Sequence, residues 1–207
     1  MQNLLRSLIC FIAVVCFIAV GSVVMAEENP AKDAANQAGS SRYISEAPLP
    51  KGWPEPGPYK QVTRKSYPAY RAAFTPNQSP NSGFRRLFSH IKSKGIPMTA
   101  PVEMTMQEGA NDEMQMEEMA FLYQSTQVGQ AGKDGEEVVV RDVPAQETLS
   151  YAWQGLRSKS SIARARKALD EALAAQGLKA GGYRLLGYNS PFILPWRQTH
   201  ELQALLR

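Results

Sequence analysis

Gly187-Tyr188-Asn189-Ser190-Pro191-Phe192 ends a run of alternating apolar residues on a turn signal. Met98-Thr99-Ala100-Pro101-Val102 holds the corresponding place in the first half of the chain. Each segment reads as a strand with a turn attached, and each follows a stretch with the period of an amphipathic helix. Two copies of a strand–helix–strand–strand unit are therefore expected.

The helix before Met98 is read from Phe84, Leu87, Phe88 and Ile91, which recur at i, i+3, i+4 and i+7 and share one face. Arg85, Arg86, Lys92 and Lys94 fall on its other sides. Asn81 or Ser82 is the expected N-cap, and Gly95 followed by Pro97 ends the helix. Upstream, residues 59–74 alternate as a strand interrupted at Pro68. Downstream, strands are expected at 98–106 and 119–125, separated by an acidic loop at 107–115.

The second half repeats the order. Val138-Val139-Val140 and residues 148–153 read as strand broken at Pro144, followed by a helix over 158–176 that ends at Gly177. Ile162, Ala165, Leu169, Ala172 and Leu173 mark its apolar face. Residues 183–188 and 200–206 are the closing strands, joined through the Asn189-Ser190-Pro191 turn. The expected fold is α+β: two βαββ repeats, approximately 59–125 and 136–207, forming a distorted antiparallel β-barrel flanked by two helices. A cleft between sheet and helix would suit a small ligand.

Residues 1–26 stand apart from this domain. A single charge at Arg6, an apolar run over 8–24 and Val24-Met25-Ala26 before Glu27 give a secretory signal layout, with an uncleaved anchor as the alternative. Either outcome predicts an exported domain, periplasmic or secreted. Both cysteines, Cys10 and Cys16, lie in this leader, so the remaining chain has no thiol for a disulfide, a metal or covalent haem attachment. Residues 27–58 read as a disordered, Pro-rich lead-in, with Trp53 folding back onto the domain. A net charge of +4 from mixed signs, without a basic stripe, argues against a nucleic-acid binder.

From about Tyr59 onward the chain resembles the SOUL haem-binding protein family. The resemblance rests on Gly57-Pro58-Tyr59, Tyr67-Pro68-Ala69, Phe84-x-x-Leu87 with Ile91, Met98-Thr99-Ala100-Pro101-Val102, Phe121-Leu122-Tyr123, Gly155 and Gly187-Tyr188-Asn189-Ser190-Pro191. It implies a fold akin to bacterial effector-binding domains and non-covalent binding of haem or a related tetrapyrrole by the first helix. Two departures stand out. The insert before Met98 is short, and Lys65 sits where some relatives carry a candidate axial histidine.

The residues implied for such a site are Phe84, Arg85, Leu87, Phe88, His90, Ile91, Met98 and Met104, with His90 the candidate ligand of haem iron. The plainer reading of the same helix is a core face with a solvated histidine at its flank. His200 reads as structural. Met104 with Met106, and Met114 with Met116, could each offer two thioethers to Cu(I), or could simply fill the core. No Ser/His/Asp set, nucleophile elbow, phosphate loop or calcium loop is visible. The expected function is therefore non-enzymatic binding. A structural or protein-interaction domain with a self-filled cleft, or a small-molecule effector-binding domain, is the alternative.

Overall fold

The computed structural model describes residues 43–76, 79–110 and 113–207. The leader and residues 27–42 lie outside the described residues, as does Asp112 of the acidic loop. Chain order is β1 (Val62–Tyr67), β2 (Tyr70–Pro76), α1 (Pro80–Ser93), β3 (Val102–Glu108), β4 (Met114–Leu122), β5 (Gly132–Asp134), β6 (Val138–Val143), β7 (Gln146–Gln154), α2 (Lys159–Gln176), β8 (Ala180–Gly187) and β9 (Thr199–Leu206). The two βαββ units are present, each opening on a strand broken at its proline. The short β5 has no sequence signal, since Gly132-Lys133-Asp134 lacks any apolar alternation.

All nine strands join one antiparallel sheet in the order β1-β7-β9-β8-β3-β4-β2-β6-β5. It is not a closed barrel, because β1 and β5 are its two edges. The sheet nonetheless wraps strongly. β1 pairs with β7 from Val62↔Tyr151 to Tyr67↔Gln146, and β2 continues the same register against β6 from Tyr70↔Val143 onward. Pro68 and Pro144 therefore break two partnered strands at the same level. Proline supplies no N–H to a ladder, so the break falls where the sheet must bend.

Both faces of the sheet are covered. On one face α1 and α2 pack over Ala73, Met104, Met119, Phe121, Leu149, Leu185 and Leu202, contributing Leu87, Ile91, Ala165 and Leu169. On the other lie Tyr67, Tyr70, Phe74, Leu122, Leu186 and Tyr188, closed by Trp53. Burial on two sides explains the unbroken apolar run Met119-Ala120-Phe121-Leu122-Tyr123, whose alternate residues serve alternate layers.

The Pro-rich lead-in over 43–58 packs against the sheet through Trp53. Trp53 stands edge-on to Tyr67 and Tyr70, at 4.6 and 5.1 Å between ring centroids. The backbone is pinned by Ala100 N–H to the Pro48 carbonyl at 3.0 Å and Lys51 N–H to the Gln124 carbonyl at 2.9 Å. A buried indole and several backbone bonds outweigh the conformational entropy that a Pro/Gly-rich segment gives up. Helix caps follow local chemistry. Ser79, not Asn81 or Ser82, caps α1, with Pro80 in the first turn and Ser82 completing a reciprocal capping box. Ser158 caps α2 in the same way, and Gly177 ends it in the left-handed conformation.

Candidate functional site

The outer face of α1 divides the expected site residues into two groups. Leu87 and Ile91 are core residues, and Met104 is buried with them. Met98 is half-buried and packs on the same core. The expected cleft between sheet and helix is thus filled at these positions. Phe84 and Phe88 point outward instead, 39% and 46% exposed. Their rings stack at 6.1 Å with planes 10° apart, and Phe84 rests edge-on against Phe121 at 5.0 Å. Arg85 is exposed between them in sequence. The four-residue apolar stripe read from the sequence is one turn-spacing wider than the core needs, and the surplus forms a flat aromatic face.

Beside this face runs an open groove of about 510 Å³ between α1 and the β5–β6 hairpin. Arg85, Arg86, Ser89 and Ser93 line one wall, and Asp134, Glu136 and Glu137 the other. Arg86 pairs with Glu137 at 2.5 Å, and Lys94 reaches Asp134 at 3.2 Å. The groove is polar and carries charges of both signs.

His90 forms the floor of the groove and is buried. Its Nδ1 lies 2.5 Å from Asp134 and its Nε2 lies 2.7 Å from the Tyr123 hydroxyl. Both ring nitrogens are engaged within the protein, so in this arrangement His90 offers neither to an iron. The hydrogen bond from His90, then that from Lys94, holds the Asp134 carboxyl below its usual range. Burial, then the Asp134 charge, pushes the Tyr123 phenol up to about 12. Neither Tyr123 nor Asp134 carried any signal linking it to His90 in the sequence, because the contacts span β4 and the unexpected β5.

The opposite face of the sheet is filled around Trp53 by its own side chains, while Tyr70, Phe74, Glu103, Arg141 and Arg184 line a smaller groove of about 240 Å³ beside it. Glu103 accepts from the Tyr70 hydroxyl at 2.8 Å and from Arg184 at 3.2 Å. The Arg184 guanidinium lies 4.6 Å from the Tyr67 ring centroid and 5.2 Å from that of Trp53. Burial draws the Arg184 pKa down, but Glu103 together with the Tyr70, Tyr67 and Tyr188 phenols outweighs it, and the group is held above its ordinary value. Lys65 is no open ligand position either, since its ammonium meets buried Glu201 at 2.8 Å.

The described methionines are packing residues. Met104, Met106 and Met119 are core, Met114 and Met116 pack against it, and the Met104 sulfur lies 2.8 Å from Arg157 Nη1. His200 is buried beside Trp153, at 5.5 Å between rings.

The family model described as SOUL heme-binding protein matches residues 57–204. The chain belongs to that family. No curated protein matches it. Among solved structures it is similar to the EcmrR–DNA complex (14% identity, TM-score 0.55), covering 71% of this chain and 57% of EcmrR. The C-terminal domain of EcmrR alone is similar too (15% identity, TM-score 0.52), with 71% of this chain and 97% of that domain covered. A protein from Listeria innocua described as a hydrolase matches at 10% identity and TM-score 0.55, over 73% of this chain and 94% of its own. At these identities the likeness is one of fold.

Proposed function

We propose that this chain is an exported, non-enzymatic binding protein for haem or a related tetrapyrrole, docked on the Phe84/Phe88 face of α1. One observation carries the reading: two stacked aromatic rings, 39% and 46% exposed, on an otherwise charged helix of a protein in the SOUL heme-binding family. Parallel rings of this kind present a flat apolar platform to a planar macrocycle. Burial of that macrocycle, at ~25 cal/mol per Å² before association costs, is the driving force. Arg85, exposed on α1, supplies a charge partner for a propionate at the groove edge. Iron ligation is not required, and His90 serves to brace the helix. The layout of residues 1–26 supports export.

A haem titration followed by Soret absorbance tests the reading. Saturable Soret change in the wild type, retained in His90→Ala and abolished in Phe88→Asp, is the expected pattern. No Soret change in the folded wild type would overturn it. A second reading, a structural or interaction domain, is favoured by Trp53 and Arg184 filling the other face of the sheet. That reading predicts the negative titration.

A further inference from the structure

The β8–β9 connection displays a cluster of large apolar side chains far from α1 in sequence. Phe192 is 93% exposed, Trp196 66% and Leu194 51%. Leu156, 65% exposed, joins them from the β7–α2 turn, where Gly155 N–H donates to the Gln198 carbonyl at 2.9 Å. The segment is Pro191-Phe192-Ile193-Leu194-Pro195-Trp196-Arg197, with no acid in it. Single exposed apolar residues are ordinary, but four on two hydrogen-bonded connections mark a contact surface.

This surface is built, not loose. Ile193 N–H donates to the Ser190 carbonyl at 3.2 Å and Arg197 N–H to the Leu194 carbonyl at 2.8 Å, closing two successive turns. The Gln198 side-chain amide holds the Ile193 carbonyl at 2.9 Å from behind. The backbone therefore satisfies these polar groups internally, which a segment entering an apolar phase requires.

Two further features favour a lipid surface over a protein. The composition pairs Phe, Leu and Trp with a flanking exposed Arg197, the combination that seats at the headgroup–acyl boundary. The first described residues also lie next to this loop. Asn189 Nδ2 donates to the Ile44 carbonyl at 2.7 Å, and Glu46 accepts from the Ser190 N–H at 2.8 Å and the Ser190 hydroxyl at 2.7 Å. The first described residues thus lie at the same end of the domain as these side chains.

We infer that the loop formed by Phe192, Leu194 and Trp196, with Leu156, is a membrane-docking ridge that inserts into the interfacial layer of an anionic phospholipid bilayer. Insertion orients the domain with residue 43 toward the membrane.

The protein carries its own reporter. Of its three tryptophans, Trp53 and Trp153 are 5% exposed, and none lies in residues 1–42, so membrane-dependent quenching reads Trp196. The full chain is mixed with phosphatidylcholine/phosphatidylglycerol vesicles containing acyl-chain-brominated lipid. We expect a blue shift and loss of about half of the Trp196 emission, as for an indole at the interface. Phe192→Asp combined with Leu194→Asp, which alters only exposed positions, should abolish both changes while leaving the circular dichroism spectrum intact. Chain that co-sediments with vesicles through its N-terminal segment, yet shows unquenched Trp196 emission fully accessible to iodide, would overturn the inference. So would quenching that is unchanged in the double variant.

Discussion

Lys65 Nζ lies 2.8 Å from a carboxylate oxygen of Glu201, in a site where Glu201 is wholly buried. The same ammonium donates to the Glu55 carbonyl at 2.9 Å. The other Glu201 oxygen accepts from the Tyr67 hydroxyl at 2.9 Å, from Ser150 and from Gln203. One carboxylate therefore joins the lead-in, β1, β7 and β9. Removing its cation strands a buried charge, which costs more than the pair contributes. Lys65→Met is expected to lose about 3–5 kcal/mol of unfolding free energy. Adding Glu201→Gln should restore most of it, read from urea denaturation midpoints.

Trp53 closes the second apolar layer, so its truncation tests whether the lead-in belongs to the folded unit. Trp53→Ala removes the indole from against Tyr67, Tyr70 and the Arg184 guanidinium. A loss of about 3–5 kcal/mol is expected for a buried tryptophan. Cleavage by protease within residues 43–58 should become fast relative to cleavage of the sheet. Equal stability in the two proteins would mean that the strap is only draped over the surface.

Much of this architecture was legible because local signals agreed with one another. The 3.6-residue periods gave both helices, Pro68 and Pro144 gave the strand breaks, and Ser158 and Gly177 bounded α2. The two segments whose turns point to the fold also anchor the lead-in together. Ala100 holds Pro48, while Asn189 and Ser190 hold Ile44 and Glu46. Turn chemistry at those positions was readable, but its partner segment was not. The candidate site was less legible for a related reason. A helical stripe does not say which of Phe84, Leu87, Phe88 and Ile91 face the core, since that depends on how far the sheet extends beneath the helix. His90 reads as a flank residue until Asp134 of β5 and Tyr123 following β4 are brought to it from 44 and 33 positions away.

The bracing role of His90 separates stability from binding. His90→Ala deprives the buried Tyr123 hydroxyl of its partner and Asp134 of a donor. A loss of about 1–3 kcal/mol is expected from leaving such groups unsatisfied. The amplitude of the haem Soret change should be unaltered at temperatures where the variant stays folded. Loss of the Soret change in folded His90→Ala would assign the ring a direct part in binding.

His200 makes the protein acid-sensitive in a defined window. Burial, then the nearby Arg157 charge, lowers its pKa from 6.5 to about 4. A base whose folded pKa is depressed binds fewer protons when folded than when unfolded at every pH between the two values. Stability therefore rises with pH across that interval. The contribution is complete above about pH 6.5 and is lost progressively toward about pH 4, by roughly 3 kcal/mol at ~1.4 kcal/mol per unit. Asp142 and Glu147 act lower. Hydrogen bonds from Arg71 and Ser66 respectively depress their pKa values, so their share is lost only as pH falls below the ordinary carboxylate range. His200→Phe keeps a planar ring against Trp153 and removes the titrating group. Its unfolding free energy should be nearly flat from about pH 6.5 to about 4.5, where the wild type slopes. Parallel slopes for the two proteins, measured by urea denaturation at half-unit steps, would assign the acid sensitivity to another group.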